Sequence, residues 1–504
     1  MVSIEIENLG FTYPSRDTPT LQGITTRVPA GTFVLLTGPT GCGKSTLLRT
    51  LNGLIPHASV GTLTGSVRLN GKAIAAQSLA TTCQQVALLF QNPDDQLFCT
   101  LVEDEIAFGL ENLGFSPEEI KRRITVALEQ VGLPDFASRE IASLSGGQKQ
   151  RVALAAVCAM RPHVLLLDEP TSHLDPKGTR DILDIVARLN REMDITVILA
   201  THRTKEVAPL CDRVWLMDEG RLCSDLPKAE AFQNPTLYQR LGVQIPESGN
   251  PSVEIPLARD RGTASQAPLL SIHELQFRYP NTDQNAVRSI SCEVPRGEVV
   301  AIMGANGSGK TTLIHLIAGL LRPSAGEMIV DGKSPSRVKL HRLAGKVGIV
   351  FQNPDLLLQA GTVRDEVAFG PKNLKFSTEF LEERVNTTLT QFDLGNFAPE
   401  APYSLSRGQR QRVAVAATFS LHPDLFLLDE PTTGQDAQHL HQLMDELCDE
   451  IQREDKTLIF ATHDTELTLK YAHRVLLLQD GELIFDGAPH TAFANPELLQ
   501  QVSL

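Results

Sequence analysis

The chain has 504 residues, which is too long for one ordinary hydrophobic core, so two or more domains are expected. Its composition, with 42% hydrophobic and 21% charged residues, is that of a globular protein, and its longest apolar runs are only as long as strands. The net charge of −14 disfavours a nucleic-acid binder that acts through a general basic field. The eight cysteines have no C-x-x-C pair or metal-ligand spacing, and with no signal-peptide pattern at Met1 we expect reduced cytosolic thiols.

The first element that predicts chemistry is a glycine-rich loop, GPTGCGKST, at residues 38–46. It contains the pattern G-x-x-x-x-G-K-[ST], in which backbone N–H groups surround a phosphate and a helix N-terminus adds its dipole. In this pattern Lys44 reaches the β- and γ-phosphates, and Ser45 ligates Mg²⁺. Upstream, Tyr13 is a candidate for stacking on adenine, although a lone tyrosine more often belongs to a core.

The next elements predict an α/β fold. The stretch PHASVGTLTG (56–65) is rich in Gly, Ser and Thr and predicts a surface loop. Helical patterns occupy 118–131 and 177–192, and apolar strand patterns occupy 164–168 and 194–202. Because these strands lack polar alternation, we expect them to be buried on both faces of a mainly parallel sheet.

Three polar residues stand at the ends of these strands. Asp168 ends one strand, at the edge where open α/β sheets bind ligands, and is predicted to hold Mg²⁺. Glu169 follows it and is placed to polarise an attacking water. His202 ends another strand; a lone histidine there is more often structural, but its recurrence later in the chain favours a γ-phosphate contact.

The chain then repeats itself. GANGSGKTT at 304–312 matches the first glycine-rich loop, and DEP and ATH recur at 429–431 and 461–463. Between the copies, residues 243–268 are rich in Pro, Ser and Gly and predict a flexible linker. We therefore predict one domain at 1–242 and a second at 269–504.

Both copies also carry a nonapeptide, LSGGQKQRV at 144–152 and LSRGQRQRV at 405–413. With these, each half resembles the nucleotide-binding domain of ABC transporters, and the resemblance covers nearly the whole chain. It rests on motifs in one order: aromatic loop, Walker A, Q-loop, signature, Walker B, D-loop and H-loop. It implies two P-loop NTPase domains, each with a parallel sheet core, an antiparallel β subdomain and an α-helical signature subdomain.

The resemblance implies ATP and Mg²⁺ as cofactors and two sites, each shared between the Walker A loop of one half and the signature of the other. The first site would comprise Tyr13, Gly38, Gly41, Gly43, Lys44, Ser45, Thr46, Gln91, Asp168, Glu169 and His202, with Ser406, Gly408 and Gln409. The second would comprise Tyr279, Gly304, Gly307, Gly309, Lys310, Thr311, Thr312, Gln352, Asp429, Glu430 and His463, with Ser145, Gly146, Gly147 and Gln148. The ligands of Mg²⁺ would be Ser45, Gln91 and Asp168 in one site, and Thr311, Gln352 and Asp429 in the other.

A finer resemblance lies in residues 90–116 and 351–377, where QNPD and AFG-x-x-N-L recur together. These segments are similar to the ATPases of energy-coupling factor (ECF) importers and of cobalt or nickel uptake systems. The similarity implies a groove for the coupling helix of an integral membrane subunit, a separate substrate-binding component, and a place on the cytoplasmic face of a prokaryotic plasma membrane. No nucleic-acid partner is expected. The halves differ where Leu356-Leu357-Leu358 replaces Asp95-Gln96-Leu97. The two halves could therefore bind different coupling helices.

Arg407 stands where the first signature has Gly146. An arginine keeps the backbone N–H but takes up room and removes the conformational freedom of glycine, which would slow the first site. A guanidinium near a γ-phosphate would instead stabilise transition-state charge. A slower first site is our preferred hypothesis. The second D-loop, TTGQD at 432–436, also departs from TSHLD at 171–175, with Gln435 in place of Leu174.

Two further interpretations stay open at this point. A soluble tandem ABC protein that acts on ribosomes or as a regulatory module would usually have a long charged helical segment between its halves, and a DNA-repair ATPase would need a coiled-coil insertion. Neither feature is present in this sequence. Within the first glycine-rich loop, Cys42 lies near a helix N-terminus expected to lower its thiol pKa, although a small residue filling a small space is favoured over redox control.

Overall fold

A computed structural model of the chain describes residues 4–14, 18–172, 174–233, 235–243, 268–280, 282, 284–338, 342–431 and 437–502. The chain divides into two compact units, Met1–Gly249 and Asn250–Leu504. The division falls inside the predicted linker, of which residues 244–267 lie outside the described residues, so the domain boundaries stay a prediction.

The first half contains the following strands and helices in chain order: β1 (Ile4–Thr12), β2 (Leu21–Val28), β3 (Phe33–Thr37), α1 (Lys44–Leu51), α2 (Leu54–His57), β4 (Thr62–Leu69), β5 (Lys72–Ala73), α3 (Leu79–Gln85), β6 (Val86–Leu89), α4 (Val102–Asn112), α5 (Pro117–Gln130), α6 (Gly146–Ala159), β7 (Val164–Asp168), α7 (Pro176–Met193), β8 (Thr196–Ala200), α8 (Thr204–Val207), β9 (Arg213–Asp218), β10 (Arg221–Pro227), α9 (Lys228–Ala231) and α10 (Pro235–Arg240).

Two sheets and a helical layer build the first half. Strands in the order β2-β1-β4-β5 form an antiparallel sheet, and the central sheet has the order β10-β9-β3-β8-β7-β6. All neighbouring strands of the central sheet are parallel except β10 and β9. Helix α6 packs against α4 and α5. The predicted combination of a mainly parallel core, an antiparallel β subdomain and an α-helical subdomain is confirmed.

The central strand β3 explains why the apolar runs do not alternate with polar residues. Phe33 and Leu35 belong to one hydrophobic cluster, whereas Val34 and Leu36 belong to another on the opposite face of the sheet. All four side chains are at most 1% exposed. A strand covered on both faces needs apolar residues at every position.

The second half contains these elements in chain order: β11 (Leu270–Phe277), β12 (Val287–Val294), β13 (Val299–Met303), α11 (Lys310–Ile317), β14 (Ala325–Val330), β15 (Val347–Val350), α12 (Val363–Asn373), α13 (Thr378–Gln391), α14 (Arg407–Ser420), β16 (Leu425–Asp429), α15 (Ala437–Glu454), β17 (Thr457–Ala461), α16 (Thr465–Tyr471), β18 (Arg474–Gln479), β19 (Glu482–Gly487), α17 (Pro489–Phe493) and α18 (Pro496–Gln501).

The second half repeats the architecture of the first. Its antiparallel sheet has the order β12-β11-β14, and its central sheet has the order β15-β16-β17-β13-β18-β19, antiparallel only between β18 and β19. Helix α14 packs against α12 and α13. Each signature motif therefore begins the central helix of a helical layer, α6 or α14.

The surface loop predicted at 56–65 is largely wrong. Residues up to His57 lie in α2, and β4 begins at Thr62. Strand β4 extends this far because it pairs with the end of β1, where Thr62 and Leu63 lie opposite Thr12 and Phe11. Only residues 58–61 of the predicted loop lie outside a helix or strand. Among the helices built from described residues, none combines the length and the apolarity that crossing a lipid bilayer requires.

Candidate functional site

In each half a glycine-rich turn connects the first strand of the central sheet to the helix that begins with the loop lysine. Gly38 has φ of 151°, and a Cβ there would lie 2.1 Å from the Met217 carbonyl oxygen. Gly304 has φ of 148°, and its Cβ would lie 2.2 Å from the Leu478 carbonyl oxygen. Only glycine fits these close approaches. The other glycines of the two turns are Gly41, Gly43, Gly307 and Gly309.

The two loop lysines turn back into their own loops. Lys44 Nζ donates to the Gly38 carbonyl oxygen at 2.8 Å, and Lys310 Nζ donates to the Gly304 carbonyl oxygen at 2.8 Å. Both side chains are nearly buried, with exposed fractions of 6% and 5%. Each ammonium group thus lies inside a ring of backbone that has the shape of a phosphate cradle.

The residue after each lysine contacts the carboxylate that ends a neighbouring strand. Thr311 Oγ1 donates to Asp429 Oδ1 at 3.1 Å, and Ser45 forms the equivalent hydrogen bond to Asp168. Burial raises the pKa of Asp429 to about 6 and also raises the pKa of Asp168. A hydroxyl and a carboxylate brought together at a sheet edge are oxygen donors of the kind that Mg²⁺ prefers, so these residues fit the metal.

The two Q-loop glutamines stand apart from these pairs. Gln91 and Gln352 come two residues after the ends of β6 and β15, the strands next to β7 and β16. In the described part of the chain no hydrogen bond joins Gln91 to Ser45 or Asp168. Gln91 and Gln352 therefore lie at the same sheet edge as the predicted metal ligands.

Glu169 occupies a strained position beside His202. Its φ is 47°, a left-handed conformation that is uncommon for a residue other than glycine. Its backbone N–H donates to the Ala200 carbonyl oxygen at 2.9 Å, and its Oε1 lies 3.3 Å from His202 Nε2. Burial raises the pKa of Glu169 to about 7, although the Lys44 charge opposes this shift.

Glu430 repeats this arrangement in the second half. Its φ is 49°, and its backbone N–H donates to the Ala461 carbonyl oxygen at 3.0 Å. Glu430 Oε2 lies 3.0 Å from His463 Nδ1, and Oε1 lies 3.8 Å from Lys310 Nζ. The predicted catalytic glutamate and histidine are thus brought together in both halves, through different ring nitrogens.

The two tyrosines near the start of each half bond to the end of their glycine-rich loops. The Tyr13 hydroxyl lies 3.3 Å from Thr46 Oγ1, and the Tyr279 hydroxyl lies 3.1 Å from Thr312 Oγ1. Each ring also meets a phenylalanine two residues earlier edge-on, with ring centroids 4.8 Å apart. These contacts place an aromatic ring at the border of each loop, where the sequence predicted an adenine contact.

Each signature serine caps its helix. Ser145 N donates to Gln148 Oε1 at 2.9 Å, and Gln148 N donates to Ser145 Oγ at 3.4 Å. Ser406 and Gln409 form the same reciprocal pair at 2.9 and 3.3 Å. The S-x-x-Q pattern signals this capping box in the sequence. Within the residues that the structure describes, neither serine bonds to the glycine-rich loop of its own half.

The position of Gly146 and Arg407 does not require glycine. Gly146 has no left-handed φ, and a Cβ added there meets no atom within 4 Å. The expectation that arginine would lose a needed glycine conformation is therefore wrong, because both positions are ordinary first residues of a helix, α6 and α14. Gly147 and Gly408 follow in the same turns, and a Cβ at Gly147 would lie 3.4 Å from Leu174 Cδ2. The second D-loop, 432–436, lies outside the described residues.

Cys42 is buried, as the favoured interpretation expects, but its thiol pKa is raised instead of lowered. Its side chain is 4% exposed, and burial raises the pKa of its thiol even though Lys44 lies nearby and acts in the opposite direction. Burial therefore disfavours the thiolate form of Cys42, and the side chain fills space in the loop.

Two buried glutamates that no sequence pattern singles out hold the segments after the Q-loops. The Glu105 carboxylate accepts the backbone N–H groups of Phe98 and Cys99 at 2.9 and 2.8 Å. In the second half, Glu366 accepts those of Gln359 and Ala360 at 2.7 and 2.6 Å. Their exposed fractions are only 6% and 3%.

These glutamates lie beneath exposed apolar surfaces, which we call the docking faces, formed by residues 90–116 and 351–377. In the first face, Phe98 and Phe108 are 65% and 47% exposed and meet edge-on, with centroids 4.7 Å apart. The second face exposes Leu356 and Phe369, at 70% and 44%. The first segment has six acidic and no basic residues, whereas the second has three of each.

An ion pair ties each docking face to the signature helix of the same half. Lys149 Nζ lies 2.6 Å from Asp94 Oδ1, and Arg410 Nε lies 3.3 Å from Asp355 Oδ1. Lys149 and Arg410 belong to α6 and α14, four residues after the capping serines. The two ion pairs therefore connect each docking face to the helix that begins with the signature of the same half.

The comparisons with known proteins decide the family. The family described as ABC transporter matches residues 21–172 and 287–433. The chain belongs to the ABC transporter family. Its two ABC domains bind ATP with Mg²⁺ and hydrolyse ATP, as the sequence predicted.

Relatives extend over the whole tandem chain. A provisionally named ABC transporter ATP-binding protein of Methanosarcina mazei is 41% identical over 99% of this chain and 91% of its own length. A provisionally named HMP/thiamine import ATP-binding protein, YkoD of Bacillus subtilis, is 34% identical over 99% of this chain and 94% of its own. The solved structure of cbiO1 from Clostridium perfringens, part of the ABC transporter complex cbiONQ, is 33% identical, covers 47% of this chain and 95% of its own, and has a TM-score of 0.43.

Proposed function

We propose that this ABC ATPase is the energy-coupling subunit of an ECF-type importer that takes up a vitamin or a transition-metal ion. The observation that carries the proposal is the pair of docking faces, one beside each Q-loop glutamine, that expose large apolar side chains. Phe108 and Phe369 lie at equivalent positions of the two halves, and Phe98 and Leu356 add exposed apolar area to their segments, as is typical of surfaces that bind another protein. The name of the YkoD relative supports import of a vitamin-like solute.

The proposed partners are integral membrane subunits, one that couples and one that binds the solute, with this chain peripheral on the cytoplasmic face of the membrane. A coupling helix would bury Phe98 and Phe108 on the first face, and Leu356 and Phe369 on the second. Segment 90–116 has five acidic residues besides the buried Glu105 and no basic residue, so we expect its coupling helix to be more basic than the helix on the second face.

We also propose that the two ATP sites form head to tail, each between the Walker A loop of one half and the signature of the other. The capping boxes support this arrangement, because they hold Ser145 and Ser406 at helix N-termini with no bond to their own loops among the described residues. A helix N-terminus with a serine hydroxyl suits an anion supplied from outside its own half.

Within each site we propose the following roles for these residues. Lys44 and Lys310 bind the β- and γ-phosphates, and Tyr13 and Tyr279 contact the base. Glu169 and Glu430 accept a proton from the attacking water, while His202 and His463, at 3.3 and 3.0 Å from them, orient the carboxylates and contact the γ-phosphate. Ser45, Gln91 and Asp168 in one site, and Thr311, Gln352 and Asp429 in the other, would hold Mg²⁺, which would supply charge neutralisation at the phosphates.

A pull-down from solubilised membranes tests the transport role. The tagged chain is expected to retain an integral membrane protein, and Phe98→Asp combined with Phe369→Asp should abolish retention because the double change places a charge on each apolar face. Val60→Asp is the matched control, since Val60 is 80% exposed and lies outside both docking faces. Co-sedimentation with ribosomes and no membrane partner would overturn the proposal in favour of a soluble tandem ABC protein.

A further inference from the structure

The segment that carries the first Q-loop glutamine is fastened by a neighbouring side chain. Gln96 Oε1 accepts the Phe90 backbone N–H at 3.1 Å, and Gln96 Nε2 donates to the Leu88 carbonyl oxygen at 3.4 Å. A side-chain amide that pairs with one C=O and one N–H of a strand acts like a residue of an adjacent strand. It therefore fixes the backbone immediately before Gln91.

The same segment is fastened again at its other end. Leu97, next to Gln96, packs against the hydrophobic core of the first half. Glu105 then holds the backbone N–H groups of Phe98 and Cys99. Residues 90–99 thus form a closed segment that runs from the Q-loop to the exposed phenylalanine of the docking face and is tied at both ends.

The second half has lost one of these two ties. Leu357 stands at the position of Gln96, and its aliphatic side chain packs against the second core and has no group that can hydrogen-bond. The other tie, made by Glu366, is present. Near the Q-loop, the Phe351 ring instead meets the ring of His315, with centroids 5.6 Å apart.

We infer that Gln96 is a positioning residue that holds Gln91 in register with the first docking face, so that the two halves respond unequally to their coupling helices. Displacement of Phe98 is passed through a tied segment to Gln91 in the first half. In the second half, only the Glu366 hydrogen bonds hold the corresponding segment, so a displacement of the second docking face would be passed less directly to Gln352. This inference rests on the proposed roles of Gln91 as a metal ligand and of residues 90–116 as a docking face.

The test uses the purified full-length chain with one ATP site silenced at a time. In a Lys310→Ala background, in which the first half alone is expected to bind nucleotide, Gln96→Leu is compared with its parent. Two quantities are measured: hydrogen–deuterium exchange of the peptide spanning 86–97, and the Mg²⁺ concentration that gives half-maximal ATP binding. The reciprocal Leu357→Gln change is made in a Lys44→Ala background, and Gln96→Glu keeps the acceptor for Phe90 while losing the donor.

We expect Gln96→Leu to speed exchange of the Phe90 amide and to raise the required Mg²⁺ concentration, each by roughly fivefold, as for the loss of a typical hydrogen bond. Gln96→Glu should fall between Gln96→Leu and the parent, and Leu357→Gln should slow exchange over 347–358 and lower the Mg²⁺ requirement. Unchanged exchange in Gln96→Leu, or faster exchange with the Mg²⁺ requirement within twofold of the parent, would each overturn the inference. A Lys310→Ala parent that binds no ATP at all would instead contradict the proposed ATP site.

Discussion

Replacing Glu105 with alanine should destabilise the first half selectively. The carboxylate is 6% exposed and accepts two backbone N–H groups at 2.9 and 2.8 Å. Hydrogen bonds to a charged group contribute roughly 1.5–3 kcal/mol each. Because the adjoining Phe98 is 65% exposed and water can reach part of the freed backbone, we expect about 2–4 kcal/mol in total.

The chain provides its own probe for this measurement. Its one tryptophan, Trp215, lies fully buried on β9 and reports on the first half alone. Urea unfolding followed by Trp215 fluorescence should shift to a lower midpoint in Glu105→Ala. Glu366→Ala, the matched change in the second half, should leave the Trp215 transition in place, and Glu103→Ala on the same helix should shift it little. A loss below about 1 kcal/mol for Glu105→Ala would refute the assignment of this carboxylate as a backbone anchor.

The remaining predictions concern ATP hydrolysis by the full chain. Glu430→Gln should lower steady-state turnover more than Glu169→Gln, because the site that uses Glu430 receives the unaltered signature; equal losses would remove the asymmetry between the sites. Arg407→Gly should preserve or raise turnover, since a side chain at this position fits its own half without strain and Arg407 would obstruct only nucleotide approaching from outside; a tenfold drop would support a charge-stabilising arginine instead. In the Glu430→Gln background, turnover should fall about tenfold per pH unit below 7, because a carboxyl with its pKa raised to about 7 is protonated and unable to act as a base there. A rate that stays flat from pH 8 to pH 6 would contradict this role of Glu169.

The parts of the site that the sequence predicted are those where chemistry dictates both residue type and spacing. The glycine-rich loops need glycine where a Cβ would strike a carbonyl oxygen, so Gly38 and Gly304 mark them reliably. The capping pairs of Ser145 and Ser406 follow from a four-residue pattern in the same way. The strand-end acids Asp168 and Asp429 are recognisable because each ends a continuous apolar run.

The features that the sequence did not predict depend on segments that fold back to contact earlier residues of the chain. Glu105 is one of three consecutive acids, and nothing in VEDEIAFG indicates which of them points inward to bind the backbone six or seven residues earlier. The Gln96 tie likewise requires the segment after the Q-loop to fold back against the end of β6. The surface loop predicted at 56–65 fails from Thr62 onward because pairing of β4 with β1 outweighs the low strand propensity of Gly and Ser in residues 61–66.

The left-handed backbone at Glu169 and Glu430 has a consequence for anyone who engineers or evolves this protein. At φ near 50°, a glutamate is held about 1 kcal/mol or more above its relaxed state, and glycine, which has no Cβ, would relieve that cost. A laboratory selection for heat resistance alone would therefore favour substitutions at these two positions. The variants recovered from such a selection would be more stable but would no longer hydrolyse ATP.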